Sequence, residues 1–212
     1  ARWGIGRMDF SVPPGLYAVG SPGAQSPVLV SANYKLSFDR LRGVLSGRDA
    51  WILVLDTHGI NVWCAAGKGT FGTDEIVRRV QGTALDRVVR GRALVVPQLG
   101  APGVSAHLVL QRCGFRVVYG PVRVEDLPAF LDAGMKAAPE MRRVKFGLRD
   151  RMVLIPVEFV MGAKYALLLA AAILLPAPLA FGQTVQDVVN QVSQPWYRSY
   201  LGYPGDLTDA NN

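Results

Sequence analysis

Cysteine and histidine are both scarce here, with two of each among 212 residues. Cys64 and Cys113 stand 49 positions apart, which matches no zinc or iron–sulfur spacing, and a disulfide between them stays open. His58 and His107 pair with no nucleophile at a spacing that a hydrolytic triad would use. Runs that interleave basic and aromatic residues are missing, and the cations are scattered, so nucleic acid is not an expected partner. A phosphate loop is absent too. Around Gly67-Lys68-Gly69-Thr70 it would need glycine at position 62 and Ser or Thr at position 69, where Val62 and Gly69 stand. No signal peptide opens the sequence at Ala1, so the N-terminus reads as a cut end and the compartment as a reducing one.

Charge and hydrophobicity divide what is present. Lys and Arg outnumber Asp and Glu 21 to 12 through Arg151, then trail them 2 to 4. The first part alternates short apolar runs with amphipathic stretches. Strands are expected at Gly15–Gly20, Pro27–Ser31, Trp51–Leu55, Ala93–Val96 and Phe115–Tyr119. Helices are expected over Phe38–Leu45 with Ser37 as N-cap, after a Thr73 cap, over Val104–Arg112 and over Glu125–Ala133. This alternation predicts an α/β fold, a Rossmann-like, mostly parallel sheet with helices on both faces. In such sheets ligands bind beyond the carboxyl ends of the strands. Those ends open into Ser31-Ala32-Asn33, Thr57-His58-Gly59, Gln98-Leu99-Gly100-Ala101 and Gly120-Pro121, which predicts a broad, shallow, uncharged platform.

The domain expected over residues 1–151 is followed by a hydrophobic, transmembrane-like segment over 152–182 and a polar tail over 183–212 without a usable motif. Tyr165 to Gly182 carries no charge, and as a helix it would span about 27 Å, just short of a ~30 Å hydrocarbon core. Arg142, Arg143, Lys145, Arg149 and Arg151 precede it, which by the positive-inside rule puts the folded domain in the cytoplasm. A second reading stays open: from Met161 the layout is that of a secretory signal peptide, which would make the residues after it foreign to the domain.

One stretch stands out chemically. The apolar run Trp51–Leu55 leads through a turn into Asn61-Val62-Trp63-Cys64-Ala65-Ala66-Gly67-Lys68. Asn61 suits an N-cap, which makes Cys64 the third residue of a short helix, where free amides and the helix dipole favour a thiolate. Ala65, Ala66 and Gly67 leave one side of that helix bare, as a large flat partner would require. An inert buried cysteine is the other reading, and it is the expected one for Cys113. His107 falls in an amphipathic helix and reads as structural.

Those eight residues resemble the signature of the corrinoid protein of microbial mercury methylation, a family similar to the corrinoid domain of the acetyl-CoA-pathway corrinoid iron–sulfur protein. Val30–Lys35, Leu55–Thr57, Gly69–Thr73 and Val96–Val104 agree with it, over roughly Arg2 to Val160. The resemblance implies a cobalamin-type corrinoid on the strand-end rim, with Cys64 as lower axial cobalt ligand where the acetyl-CoA relative typically has Thr. It implies cofactor contacts from Asn61, Val62, Trp63, Ala65, Ala66, Gly67 and Lys68. Asn33, Thr57, Gly59, Thr70, Phe71, Gln98, Leu99, Ala101 and Gly103 are implied contacts from the flanking rim.

The implied activity is corrinoid-dependent methyl transfer from cobalt to inorganic Hg(II), producing methylmercury. The alternatives are a methyl carrier of one-carbon and acetyl-CoA metabolism, or a truncated, non-catalytic corrinoid-binding domain. Implied partners are a ferredoxin-like reductant with two four-iron four-sulfur clusters, a methyltetrahydrofolate-linked methyl donor protein and the membrane. The implied location is the cytoplasmic face of the inner membrane. The family usually carries several membrane helices after the soluble domain, and this chain has one clear candidate.

Overall fold

The apolar runs form five strands because β-branched and aliphatic side chains pack well on a pleated surface that is buried on both sides. In the computed structural model these are β1 (Gly15–Val19), β2 (Val28–Ala32), β3 (Ala50–Leu55), β4 (Ala93–Val96) and β5 (Arg116–Tyr119). The structure describes residues 10–145, 147–152 and 155–174. It divides into Ala1–Met152, which holds the sheet, and Val153–Asn212.

The strands lie in the order β1-β3-β2-β4-β5. β2, β3, β4 and β5 are parallel, while β1 runs antiparallel along the outer edge of β3. Alternation along the strands feeds two cores. Val28, Val30, Leu53, Leu55, Leu94 and Val96 point to one face, where α2 (Val62–Gly67), α3 (Thr73–Gly82), α4 (Leu85–Val88) and α5 (Ala106–Cys113) cover them. Leu29, Ile52, Val54 and Val95 point to the other, against α1 (Lys35–Val44) and α6 (Leu127–Asp132). Phe38, Leu41, Leu127 and Phe130 fill that second layer, and each such side chain contributes about 2 kcal/mol through burial.

The expected α/β architecture and all five strands are present. Several boundaries differ. Ser37 does not cap α1: the helix begins two residues earlier, with Tyr34 at its N-cap and no side chain serving it. Thr73 is likewise the first residue inside α3, and its hydroxyl oxygen accepts the Ser105 N–H at 2.8 Å, tying α3 to the start of α5. His107 is exposed on α5, with Nδ1 3.0 Å from Ser105 Oγ, so it has no part in the core. Cys113 is half-buried, its thiol donates to Val109 O, and burial pushes the thiol up; both cysteines are free.

In the second unit α8 (Ile155–Leu174) follows the short α7 (Leu148–Met152) in sequence. The expected membrane span is not met there: among the described residues no helix is long and apolar enough to cross a membrane. Pro156, Glu158 and Lys164 occupy the first half of α8, so its uncharged run is only Tyr165 to Leu174, about 15 Å of helix. The remainder of the expected segment, the signal-peptide-like cleavage region and the polar tail lie outside the described residues.

Candidate functional site

Topology decides where a ligand can enter. From β2 the chain crosses one face of the sheet to β3, and from β3 it crosses the other face to reach β4 on the opposite side of β2. The loops leaving β2 and β4 therefore diverge, and an open α/β sheet forms its crevice at such a switch point. The pairing shows the opening directly. β2 holds β3 through five registered pairs but β4 only through Val28↔Leu94 and Leu29↔Val95. Beyond Leu29 the two strands part.

A cleft of about 450 Å3 occupies this gap. Its floor is Leu29, Val30, Ser31 and Val95, and Pro97 and Leu99 line the β4 side. Ser37, Arg40 and Leu41 of α1 form another wall, and Asn61, Val62 and Trp63 stand at the start of α2. The segment Gly120–Glu125 closes the far side. The expected uncharged platform is thus a cleft with ion pairs on its walls. Arg40 pairs with Glu125 at 2.8 Å, and Arg123 pairs with Asp150 at 2.6 Å. Sequence reading missed these four residues because each pair joins positions 27 or more apart, which no local spacing reveals.

The helix that carries the cysteine forms as expected. Asn61 is its N-cap: the side-chain oxygen accepts the Cys64 N–H at 3.0 Å, and the backbone at Asn61 is extended. Cys64 is exposed, and Trp63 beside it is 68 % exposed although tryptophan carries the largest apolar surface of any side chain. Gly67 and Lys68 are exposed at the other end of the helix.

The bare face is where the reading needs correction. Ala65 and Ala66 are buried and point into the domain, away from solvent. They are small because α2 lies against the 3-10 helix Gln98–Gly103, where the two backbones come close. A Cβ on Gly103 would lie 3.3 Å from Ala66 Cα and 2.2 Å from Phe71 O. Phe71 is fully buried, and a Cβ on Gly100 would strike its ring at 2.5 Å. Ala65, Ala66, Phe71 and Gly103 therefore pack the underside of the site. Thr70 belongs with them: its N–H donates to Ala65 O at 3.0 Å.

Asn33, Thr57 and Gly59 are also committed internally. The Asn33 side-chain oxygen accepts the Thr57 N–H at 3.1 Å and the Gly59 N–H at 2.9 Å, with Thr57 Oγ1 at 2.8 Å. Thr57 Oγ1 also lies 2.7 Å from Ile60 O. Asn33 and Thr57 are buried, so they build the loop that delivers α2 and have no surface to offer a ligand. His58 and Gly59 both take positive φ, 56° and 71°, so the turn stays tight at the cost of one strained non-glycine residue. Of the sequence-expected residues, Asn61, Val62, Trp63 and Leu99 line the cleft. Ala101 is half-buried on the 3-10 helix, and Gln98 holds a buried Oε1 without a hydrogen-bond partner among the described residues.

Glu75 was legible only as an acid in the first turn of α3. It is 5 % exposed, and it accepts the Asp56 N–H at 2.8 Å, Arg79 Nη2 at 2.7 Å and Arg78 Nε at 2.7 Å. Burial alone pushes its carboxyl up, but the Asp56 amide and the two guanidinium groups outweigh burial and hold it below the usual 4.5. A depressed folded-state value gives stability that is fully present above pH 4.5 and lost as pH falls through the folded value. Denaturant unfolding followed from pH 6 down to pH 3 is expected to show this loss, and Glu75→Gln is expected to flatten it.

An open α/β domain with a crevice at its switch point and an exposed thiol on a pinned helix is the class of site the geometry defines. The chain belongs to the family described as the CO dehydrogenase/acetyl-CoA synthase delta subunit, whose profile matches residues 6–128. It is similar to the acetyl-CoA decarbonylase/synthase complex subunit gamma of Methanopyrus kandleri, 33% identical over 128 residues, covering 59% of this chain and 27% of that protein. The subunit of the same name from Methanosarcina acetivorans is 32% identical over 133 residues, covering 59% and 27%. That of Methanothermobacter thermautotrophicus is 30% identical over 128 residues, covering 59% and 28%. The chain spans little more than a quarter of the length of these relatives.

Proposed function

We propose that this chain is a corrinoid-dependent methyl-transfer domain, in which a cobalamin-type corrinoid sits at the strand-end crevice beside Cys64. The observation that carries the reading is the coincidence of the switch-point cleft with an exposed, unpaired thiol on a helix fixed to the same rim. The residues present fit such a group. The cleft floor is apolar, Gln98 Oε1 is a buried acceptor that an amide-bearing group would satisfy, and a thiol is a soft donor suited to a transition metal.

When bound, the corrinoid supplies a cobalt centre that carries and releases a one-carbon group. The chain's own residues do the rest. Cys64 would present its sulfur to such a metal, and Asn61 fixes the first turn of α2 by accepting the Cys64 N–H. Trp63, exposed at the cleft's edge, would cover a bound group with apolar surface and exclude water. Gln98, Leu99 and Ala101 would hold the cofactor on the β4 side, and Gly67 and Lys68 would hold it near the thiol.

Two acceptors are compatible with this arrangement. Family membership and the acetyl-CoA decarbonylase/synthase relatives favour a one-carbon carrier working with other subunits of such a complex. The sequence resemblance and the exposed thiol of Cys64 favour inorganic Hg(II), with methylmercury as product. That second reading brings with it a ferredoxin-like reductant with two four-iron clusters, a methyltetrahydrofolate-linked donor, and residence at the cytoplasmic face of the inner membrane.

The test offers the corrinoid-loaded, methyl-charged chain each acceptor in turn, with a low-potential reductant present. Methylmercury formed stoichiometrically with methyl loss supports the Hg(II) reading. Transfer only to an acetyl-CoA-forming partner supports the carrier. Corrinoid uptake with transfer to neither would leave a non-catalytic binding domain.

A further inference from the structure

We infer that Glu75 is a positioning residue for Cys64: its buried carboxylate anchors the hydrogen-bonded loop that sets where α2 presents the thiol. Glu75 stands on α3, eleven positions after Cys64, and is not among the residues that line the cleft. Its influence runs through a continuous set of bonds. The Asp56 N–H donates to Glu75 Oε1 at 2.8 Å, which fixes the last peptide of β3 against the start of α3. Asp56 Oδ1 in turn accepts the His58 N–H at 3.1 Å and lies 3.4 Å from Asn33 Nδ2. Asn33 Oδ1 gathers the Thr57 and Gly59 amides, and the Ile60 N–H closes the turn on Thr57 O at 3.1 Å. The next residue is Asn61, which caps Cys64.

Physical grounds make Glu75 the anchor of this set. It is the only charged side chain in the chain of contacts that is almost wholly buried, and it is held from the other side by Arg78 and Arg79, two residues of its own helix. Arg78 is largely exposed, so the helix supplies countercharge from solvent while the carboxylate reaches inward. In the loop between, His58 is exposed, Gly59 has no side chain, and Ile60, half-buried against the core, supplies the apolar contact. A buried carboxylate bonded to a strand-end amide thus ties α3 to the N-terminal end of α2, while the turn after α2 ties its other end through the Thr70 and Phe71 N–H groups on Ala65 O. The consequence for chemistry rests on the proposed role of Cys64, while the positioning itself is testable without any corrinoid.

The experiment compares amide hydrogen exchange in the full wild-type chain and in Glu75→Gln, without cofactor. Glutamine keeps the shape but sets an NH2 group against the Arg pair and removes the charge. The expected result is exchange at Asp56, Thr57, Gly59 and Cys64 faster by about tenfold or more over and above the change shared by amides of β4 and β5, which reports the loss of global stability. Alkylation of Cys64 should change in rate by a similar factor relative to Cys113. Uniform acceleration over the whole domain would show a general stability role and overturn the proposal, as would no acceleration at the loop. A loosened loop in Glu75→Gln beside an unchanged corrinoid spectrum in Cys64→Ala would overturn cobalt ligation by Cys64, and the Hg(II) reading with it, and leave the positioning standing.

Discussion

Cys64→Ala is expected to leave the fold intact and, under the Hg(II) reading, to remove methylmercury formation almost entirely. The side chain is exposed and makes no hydrogen bond, so its loss falls among surface substitutions worth within about 0.5 kcal/mol of stability. If the thiolate binds cobalt, activity should fall by roughly a hundredfold or more, since even outer-shell partners of a metal ligand typically cost ten- to a hundredfold. Unfolding curves and methylmercury yield, measured on the same preparations, separate the two effects. Cys64→Thr divides the acceptor readings further. A one-carbon carrier should keep its transfer activity with threonine at that position, whereas Hg(II) methylation should be lost as in the alanine variant.

Gly103→Ala carries the largest expected effect on the fold. The added methyl would lie 2.2 Å from a backbone oxygen, Phe71 O, which no side-chain rotation can relieve. Either the 3-10 helix or the Phe71 turn must move, and α2 rests on the first through Ala66 and on the second through Ala65 O. A destabilisation of about 3 kcal/mol follows, at the upper end for overpacking. Gly82→Ala is the matched control. It sits in α3 with nothing within 4 Å of the added Cβ and should stabilise by about 0.5 kcal/mol through helix propensity. Denaturant midpoints of the two variants should therefore move in opposite directions.

Together these positions show which parts of the site were legible in the sequence. The parallel strands were, because each is a short apolar run bounded by turn residues, and so was the rim, because parallel strands put all their carboxyl ends on one side. The antiparallel β1 could not be oriented from its own residues, since Gly15 to Val19 pairs with a strand more than 30 positions away. Asn61 was legible as a cap because capping is a contact between near neighbours. Asn33, Thr57 and Glu75 were not, since their partners lie 19 to 26 positions off along the chain. Ala65 and Ala66 were read for the wrong face. Small residues on a helix allow close approach by a ligand or by another backbone, and sequence alone does not distinguish the two; here the backbone of Gly103 and the Phe71 turn take the space.

The proposed site unites a crevice with a mainly apolar floor, an unsatisfied amide oxygen and an exposed sulfur on one rim. The sulfur is the part on which the chemistry turns. The full chain loaded with cobinamide, a corrinoid without a coordinating base of its own, therefore gives the most direct measurement: absorption spectra of wild type and Cys64→Ala at equal corrinoid loading. A cobalt band shifted in the wild type and restored to the free-corrinoid position in the alanine variant is the predicted result. Identical spectra from the two proteins would contradict thiolate ligation and the function built on it.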